Sequence, residues 1–297
     1  MAQLHYVPNS TARNFRLQRS GMIGVLLANL KADWAEVVID GMLDVFRPGG
    51  YAPFIAIHGF DADLANRELL SCLQRRDEGV ICQPVPGQKE LYDRIQQMGT
   101  QLVFLGDQPE DMPEVSVVAW DSGAAARTAV QHLIDTGRRR IGFVGTDYPM
   151  RMSRERFEAY ESVLREADLA PRPHWIAVAP LEWSVDSIVN GALDSIFGCD
   201  QEHPDAIFAL NDGLALPLLE ALEDRGIRVP QDVAVIGMGD LPMTGHRGIG
   251  LSTVREPCVK MGKQVAEVML ELISNPDKAP INRLIPGREL KIRRSTA

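Results

Sequence analysis

The sequence has no apolar run near the roughly 18 residues that a membrane-spanning helix needs, and no transmembrane segment is expected. Its four cysteines, Cys72, Cys82, Cys199 and Cys258, form no CxxC pair and no His-interleaved cluster. That removes the zinc-ribbon and dithiol-redox classes and points to free thiols in a reducing compartment. No GxGxxG follows the first apolar run and no GxxxxGK(S/T) occurs, so a dinucleotide fold or a P-loop would lack its phosphate cradle. GxSxG and HExxH are absent too, and the six histidines are scattered. The expectation is a protein that is not an enzyme, with no cofactor and no metal site. Positive charge is also scarce. With 31 basic against 40 acidic residues the net charge is −9, so the bulk of the chain is no nucleic-acid-binding surface. The first residues carry no apolar stretch of the kind that opens a secretory signal, and a cytoplasmic protein is expected.

What the sequence does hold is a repeated alternation. A length of 297 residues with 45% hydrophobic side chains is enough for two lobes with real cores. Ala206–Leu210 is a short apolar run, followed by Ala215, Leu218, Leu219 and Leu222 at helical spacing. Gly226 reads as the stop, Val229-Pro230 as a turn and Val233–Ile236 as a second buried strand. Strand, helix and strand in some 30 residues make a βαβ unit and hence a parallel sheet. The same rhythm starts at Ile23–Leu27 and Trp34–Phe46 and runs on to Ile141–Val144. A second series opens at helix Ser153–Ala167 and closes with helix Cys258–Ile273 and an extended segment from Leu284 to Ile292. The expected architecture is a doubly wound α/β fold in two similar lobes.

Ligands on such sheets bind beyond the carboxyl ends of strands, and several residues fall there. Asp33 and Trp34 follow the first strand; Trp34 reads either as a platform for a flat ligand or as a core residue opening its helix. Asp121 and Asn211 each stand at a helix start, where capping competes with ligand contact. Arg156, early in its helix, is either a solvated surface arginine or a polar anchor. The N-terminal stretch also has two readings. Arg13, Arg16 and Arg19 surround a lone Phe15 with no acid among them. This is either a plain basic tail or a short helix with arginines on phosphates and Phe15 as a wedge between base steps.

The ordered set of motifs resembles the LacI/GalR family of bacterial transcription regulators over essentially the whole length. The matching residues are Tyr6-x-Pro8-Asn9-x-x-Ala12-Arg13, Ile23-Gly24-Val25, Gly50-Tyr51, Glu78-Gly79-Val80-Ile81 and Gly137-x-Arg139-Arg140-Ile141. They continue with Asn211-Asp212-x-x-Ala215, Val229-Pro230-x-Asp232-Val233, Leu251-Ser252-Thr253-Val254 and Arg293-x-Ser295-Thr296. Each is weak alone; their order and spacing are specific. The resemblance implies two Rossmann-like lobes of the periplasmic-binding-protein type I, joined by three crossovers. A small-molecule effector, a sugar or a sugar acid, would lie in the cleft between lobes of a homodimer. It implies lobes at 21–140 plus 255–283 and at 141–254 plus 284–297, after a remnant linker and hinge helix at 1–20. Only about five residues precede the Tyr-x-Pro-Asn motif, so the family's helix-turn-helix headpiece is expected to be missing, and operator DNA would be held mainly through that absent part. Hinge contacts with DNA would come from Asn9, Arg13, Phe15 and Arg16. The runner-up reading is a solute-binding protein of a sugar transporter, which shares the fold.

The resemblance also implies contacts. Trp34 matches an aromatic ligand contact, Arg156 the main polar anchor and Asn211 a further pocket position; Asp33, Asp121, Gly239 and Asp240 complete the expected set. Many relatives carry a sugar-binding Asp where this chain has Gly239, in Gly237-Met238-Gly239-Asp240. That variant looks like some gluconate-type regulators. Loss of a carboxylate beside a retained guanidinium predicts a positive pocket and an anionic effector held bidentately by Arg156. Pro217 predicts a kink in its helix, or a later helix start.

Overall fold

The chain forms two six-stranded sheets. The structure, a computed structural model, describes residues 20–30, 33–147, 150–180, 183–198 and 202–297. The expectations for Asn9, Arg13, Phe15 and Arg16 therefore lie outside the described residues, as does the side chain of Asp33. In the first sheet the strands are β1 (Met22–Leu27), β2 (Ala52–Ile57), β3 (Gly79–Cys82), β4 (Gln101–Leu105), β5 (Ser116–Trp120) and β11 (Asn282–Ile285), in the order β11-β5-β4-β3-β1-β2. In the second they are β6 (Ile141–Thr146), β7 (Ile176–Ala179), β8 (Ala206–Ala209), β9 (Ala234–Gly239), β10 (Ser252–Arg255) and β12 (Glu289–Lys291), in the order β12-β10-β9-β8-β6-β7. Neighbours from β1 to β5 and from β6 to β10 pair in parallel, and β12 lies antiparallel on β10. Strands covered on both faces need apolar residues at every position. Accordingly all of β3 and β8 is buried.

Helices connect the strands: α1 (Asp33–Gly49), α2 (Ala62–Arg75), α3 (Lys89–Gln97), α4 (Ser122–Asp135), α5 (Arg151–Glu166), α6 (Val185–Phe197), α7 (Asp212–Asp224) and α8 (Cys258–Ser274). The chain divides into two compact units. The first holds the described residues before α1, Ala35–Ala119 and Cys258–Arg283; the second holds Trp34, Trp120–Pro257 and Leu284–Ala297. The long passages between units fall at 119–120, 257–258 and 283–284, giving the three crossovers expected. The boundary at 140 is corrected: α4 belongs to the second unit, because it packs along α5 and against β8, β9 and β10. Residues 255–257 move with it.

Two further expectations change. The closing extended segment is not one strand: Pro286, Gly287 and Arg288 separate β11, beside β5, from β12, on β10. Gly237, Met238 and Gly239 are the last residues of β9 rather than a loop after it. Pro217 lies inside α7, which begins at Asp212 rather than later. The ring removes the N–H that would have met the carbonyl of Gly213, an exposed residue whose carbonyl solvent can serve.

In the first unit α1 and α8 touch backbone to backbone. A Cβ on Gly262 would come 2.0 Å from the carbonyl oxygen of Val38, and one on Gly41 2.4 Å from that of Val259. The second unit has an aromatic core in which Phe143 meets Phe157 and Phe208 edge-on at 5.1 and 5.7 Å, and Tyr160 Oη donates to Ile141 O at 2.8 Å. The last residues are bound into this core. Ser295 Oγ donates to Val235 O at 2.6 Å, and Thr296 Oγ1 lies 2.8 Å from His132 Nε2 and 2.7 Å from Ser252 Oγ.

Candidate functional site

In the second sheet the strand order reverses direction at β6 and β8, the position where doubly wound sheets open a crevice at their carboxyl ends. Arg156 projects from α5 to that point. It is 1% exposed, which decides between its two readings: it is no solvated surface arginine. Its Nη1 donates to Leu210 O at 2.8 Å, just past the end of β8, and its Nε to Ser122 Oγ at 2.7 Å. Nη2 meets Met152 Sδ at 3.0 Å, and the guanidinium carbon stands 5.2 Å from the Trp120 ring centroid. A buried charge persists only when paired and hydrogen-bonded. These contacts fix the plane of the guanidinium at the switch point.

Its counter-charge is Glu256, which the sequence reading did not include. Register carries it there: Arg255 pairs with Gly239, and the Glu256 backbone N–H donates to Gly239 O at 3.1 Å. Glu256 Oε2 stands 3.9 Å from Arg156 Nη2, and Oε1 accepts from the indole Nε1 of Trp34 at 2.7 Å. Burial pushes this carboxyl above the ordinary range, opposed by Arg156 and the Trp34 hydrogen bond and reinforced by Asp212. The uncompensated positive field inferred from Gly239 is thereby corrected. The carboxylate missing from 239 is supplied by the adjacent strand, and all three nitrogens of Arg156 have partners within the chain.

A second buried carboxylate, Asp212, lies 1% exposed in the first turn of α7. Oδ1 accepts from Thr253 Oγ1 at 2.7 Å and Oδ2 from Leu241 N at 3.1 Å. It occupies space left by two glycines: a Cβ on Gly237 would come 2.2 Å from Oδ1, and one on Gly239 3.2 Å from Oδ2. Gly239 also has φ +140°, a conformation that side chains disfavour. Burial pushes the Asp212 carboxyl up to about 6 despite those hydrogen bonds.

The other expected residues have distinct placements. Asn211 caps α7, its side chain accepting from Leu214 N at 3.0 Å. Asp121 caps α4, accepting from Ala124 N at 3.2 Å, with Arg288 3.5 Å from its other oxygen. Asp240 is bound between Arg293 Nη2 at 2.5 Å and Arg255 Nε at 2.7 Å, and accepts from Thr244 Oγ1 at 3.3 Å. Burial raises its carboxyl, but the two guanidinium groups overcome this and hold it below the ordinary range. Its oxygens thus serve the scaffold. The site therefore brings together Arg156, Trp34 and Gly239 from the expected set with Glu256, Asp212, Ser122 and Trp120. Asp212 stood in the Asn211-Asp212 motif, and its position directly after a buried strand was a usable signal. Nothing local marked Glu256. Among the described residues no cluster of His, Cys, Asp and Glu has the makings of a metal site.

Comparison with known proteins gives this geometry its relatives. Residues 130–296 match the family described as periplasmic binding protein-like domain. The chain is 24% identical over 278 residues to the ribose operon repressor of Haemophilus influenzae, covering 94% of this chain and 82% of that one. Among solved structures, the transcription regulator GntR from Chromobacterium violaceum is 26% identical with a TM-score of 0.79, covering 93% of this chain and 99% of that one. A LacI family regulator from Enterococcus faecium with bound ribose is 23% identical with a TM-score of 0.79, covering 93% and 98%. The family model covers more than half of the chain, and the chain belongs to the periplasmic binding protein-like family.

Proposed function

We propose that this chain is the effector-binding and dimerisation core of a ligand-responsive bacterial repressor, and that its effector is a sugar or a sugar acid held against Arg156. One observation carries the reading: a fully buried guanidinium is fixed at the carboxyl-end switch point of a parallel sheet, beside a nearly buried carboxylate. Such an array presents fixed donors and acceptors to a polyhydroxylated molecule, with Trp34 and Trp120 as apolar faces beside it. The relative named a ribose operon repressor and the regulator with bound ribose support the same class. In this reading, effector binding shifts the population of two conformations of a cytoplasmic homodimer and so alters the grip on operator DNA. DNA would be held by the hinge segment around Asn9, Arg13, Phe15 and Arg16 and by a headpiece ahead of it. The chemistry is binding alone. A transporter's solute-binding protein would share the fold, but the relatives matched by sequence are named as repressors.

A thermal-shift screen against neutral sugars, sugar acids and purines tests the reading. A ligand at 100 times its Kd stabilises the folded state by about 2.7 kcal/mol. The expected outcome is a shift with a sugar or sugar acid that Arg156→Ala abolishes. A shift confined to purines, or no shift with any of them, would overturn the proposed effector.

A further inference from the structure

Gly239 leaves the carboxyl end of β9 without a side chain, and the neighbouring strand puts Glu256 beside it. We propose that Glu256 sets the charge class of the effector: facing Arg156, it admits neutral polyols and turns away anionic ones. This rests on the effector reading above and adds to it the chemistry that discriminates.

Arg156 offers only donors and an ionised Glu256 only acceptors. A hydroxyl group is both, so two neighbouring hydroxyls can accept from the guanidinium and donate to the carboxylate at once. A ligand carboxylate can use only Arg156, and there it meets the like charge of Glu256, whose Oε2 is 3.9 Å from Nη2. The other charged and polar groups around Glu256 do not cancel it. Trp34 on α1 contributes a neutral indole N–H, and Asp212 on α7 adds a second carboxylate. Arg255 on β10 points to Asp240 and Glu289, and Asp240 is also held by Arg293. Arg156 is thus the cation that faces Glu256 in the described structure, and the pair leaves no net positive charge for an anion.

The test is calorimetric titration of the wild type and Glu256→Gln with matched pairs: ribose and ribonate, glucose and gluconate, galactose and galacturonate. Glutamine keeps the size and the acceptor for Trp34 while removing the charge. The wild type is expected to prefer the neutral member, and Glu256→Gln to move the ratio about tenfold toward the acid. Because burial holds the Glu256 carboxyl above its ordinary range, wild-type affinity for the acid should rise as pH falls from neutral. The variant should show a smaller rise, the part that protonation of Asp212 contributes in both proteins. A neutral-to-acid ratio that the substitution leaves unchanged overturns the inference while leaving the effector reading intact. If the wild type binds no member of any pair, the effector reading falls, and sulfate then probes the charge balance directly. Sulfate, compared with chloride at equal ionic strength, should raise the Tm of Glu256→Gln above that of the wild type. An equal response of the two proteins overturns the inference.

Discussion

Asp212 should make this protein less stable as pH rises through the weakly acidic range. Its carboxyl goes from an ordinary 3.8 to about 6 in the fold, chiefly because it is buried. Between those values the folded chain holds a proton that the unfolded chain has released. The folded state therefore binds more protons, and unfolding free energy falls with increasing pH until both states are ionised. That rise corresponds to about 3 kcal/mol, present as a penalty above pH 6 and absent below pH 3.8. Asp212→Asn approximates the protonated acid. Its carbonyl can accept from Leu241 N as the native Oδ2 does, and its amide can donate to Thr253 Oγ1, reversing the bond that the native Oδ1 accepts. Urea unfolding of both proteins should give curves that nearly coincide at about pH 4 and separate to 2–3 kcal/mol by about pH 7, with the variant the more stable. Groups that Asp212 does not influence cancel in the difference, and Glu256, whose carboxyl Asp212 raises, adds to it in the same sense. A difference that stays flat with pH, or one in which the wild type gains on the variant as pH rises, would refute the reasoning.

Other substitutions have equally direct outcomes. Gly239→Ala places a Cβ 3.2 Å from Asp212 Oδ2 on a backbone with φ +140°, and should cost roughly 2 kcal/mol, read as a lower urea midpoint. Gly262→Ala drives a Cβ to 2.0 Å from a main-chain carbonyl that has no side-chain freedom to yield. A loss of roughly 3 kcal/mol and a lowered Tm are expected, and an unchanged Tm would show that α1 and α8 separate readily. Ser122→Ala removes the partner of Arg156 Nε and should destabilise by about 1–3 kcal/mol, with weaker binding of whichever sugar or acid the screen identifies.

The fold was largely legible because its signals are local. Buried parallel strands read as uninterrupted apolar runs, and the caps at Asn211 and Asp121 act on backbone groups three residues away. Gly226 takes the positive φ expected of a helix stop. The lobe boundary was less legible, since nothing in the composition of α4 says which sheet it will cover. Arg156 stood out only by resemblance, as its helix has no local feature that separates a buried arginine from a solvated one. Glu256 was invisible for a physical reason: it meets Trp34 across 222 residues and Arg156 across two different strands' connections. Its importance depends on register, and register is not written in any window of sequence. The inference of a positive pocket from Gly239 failed on that point, because a missing side chain on one strand was read without the strand beside it.

The threading of the chain also governs the order in which this protein can mature at the ribosome. The first unit includes α8 and part of β11, so it cannot close until Arg283 has been made. The second needs β12 and the Ser295 and Thr296 contacts with Val235, Ser252 and His132, which are among the last residues of the chain. Synthesis adds only about 5–20 residues per second, and proteins built from consecutive domains use that time to finish one before the next emerges. Here neither unit can be finished until strands of the other have emerged, and the two can be completed only within moments of each other. Their apolar strands are exposed together during that wait, and demand for holding chaperones should therefore peak while Trp120–Pro257 is emerging.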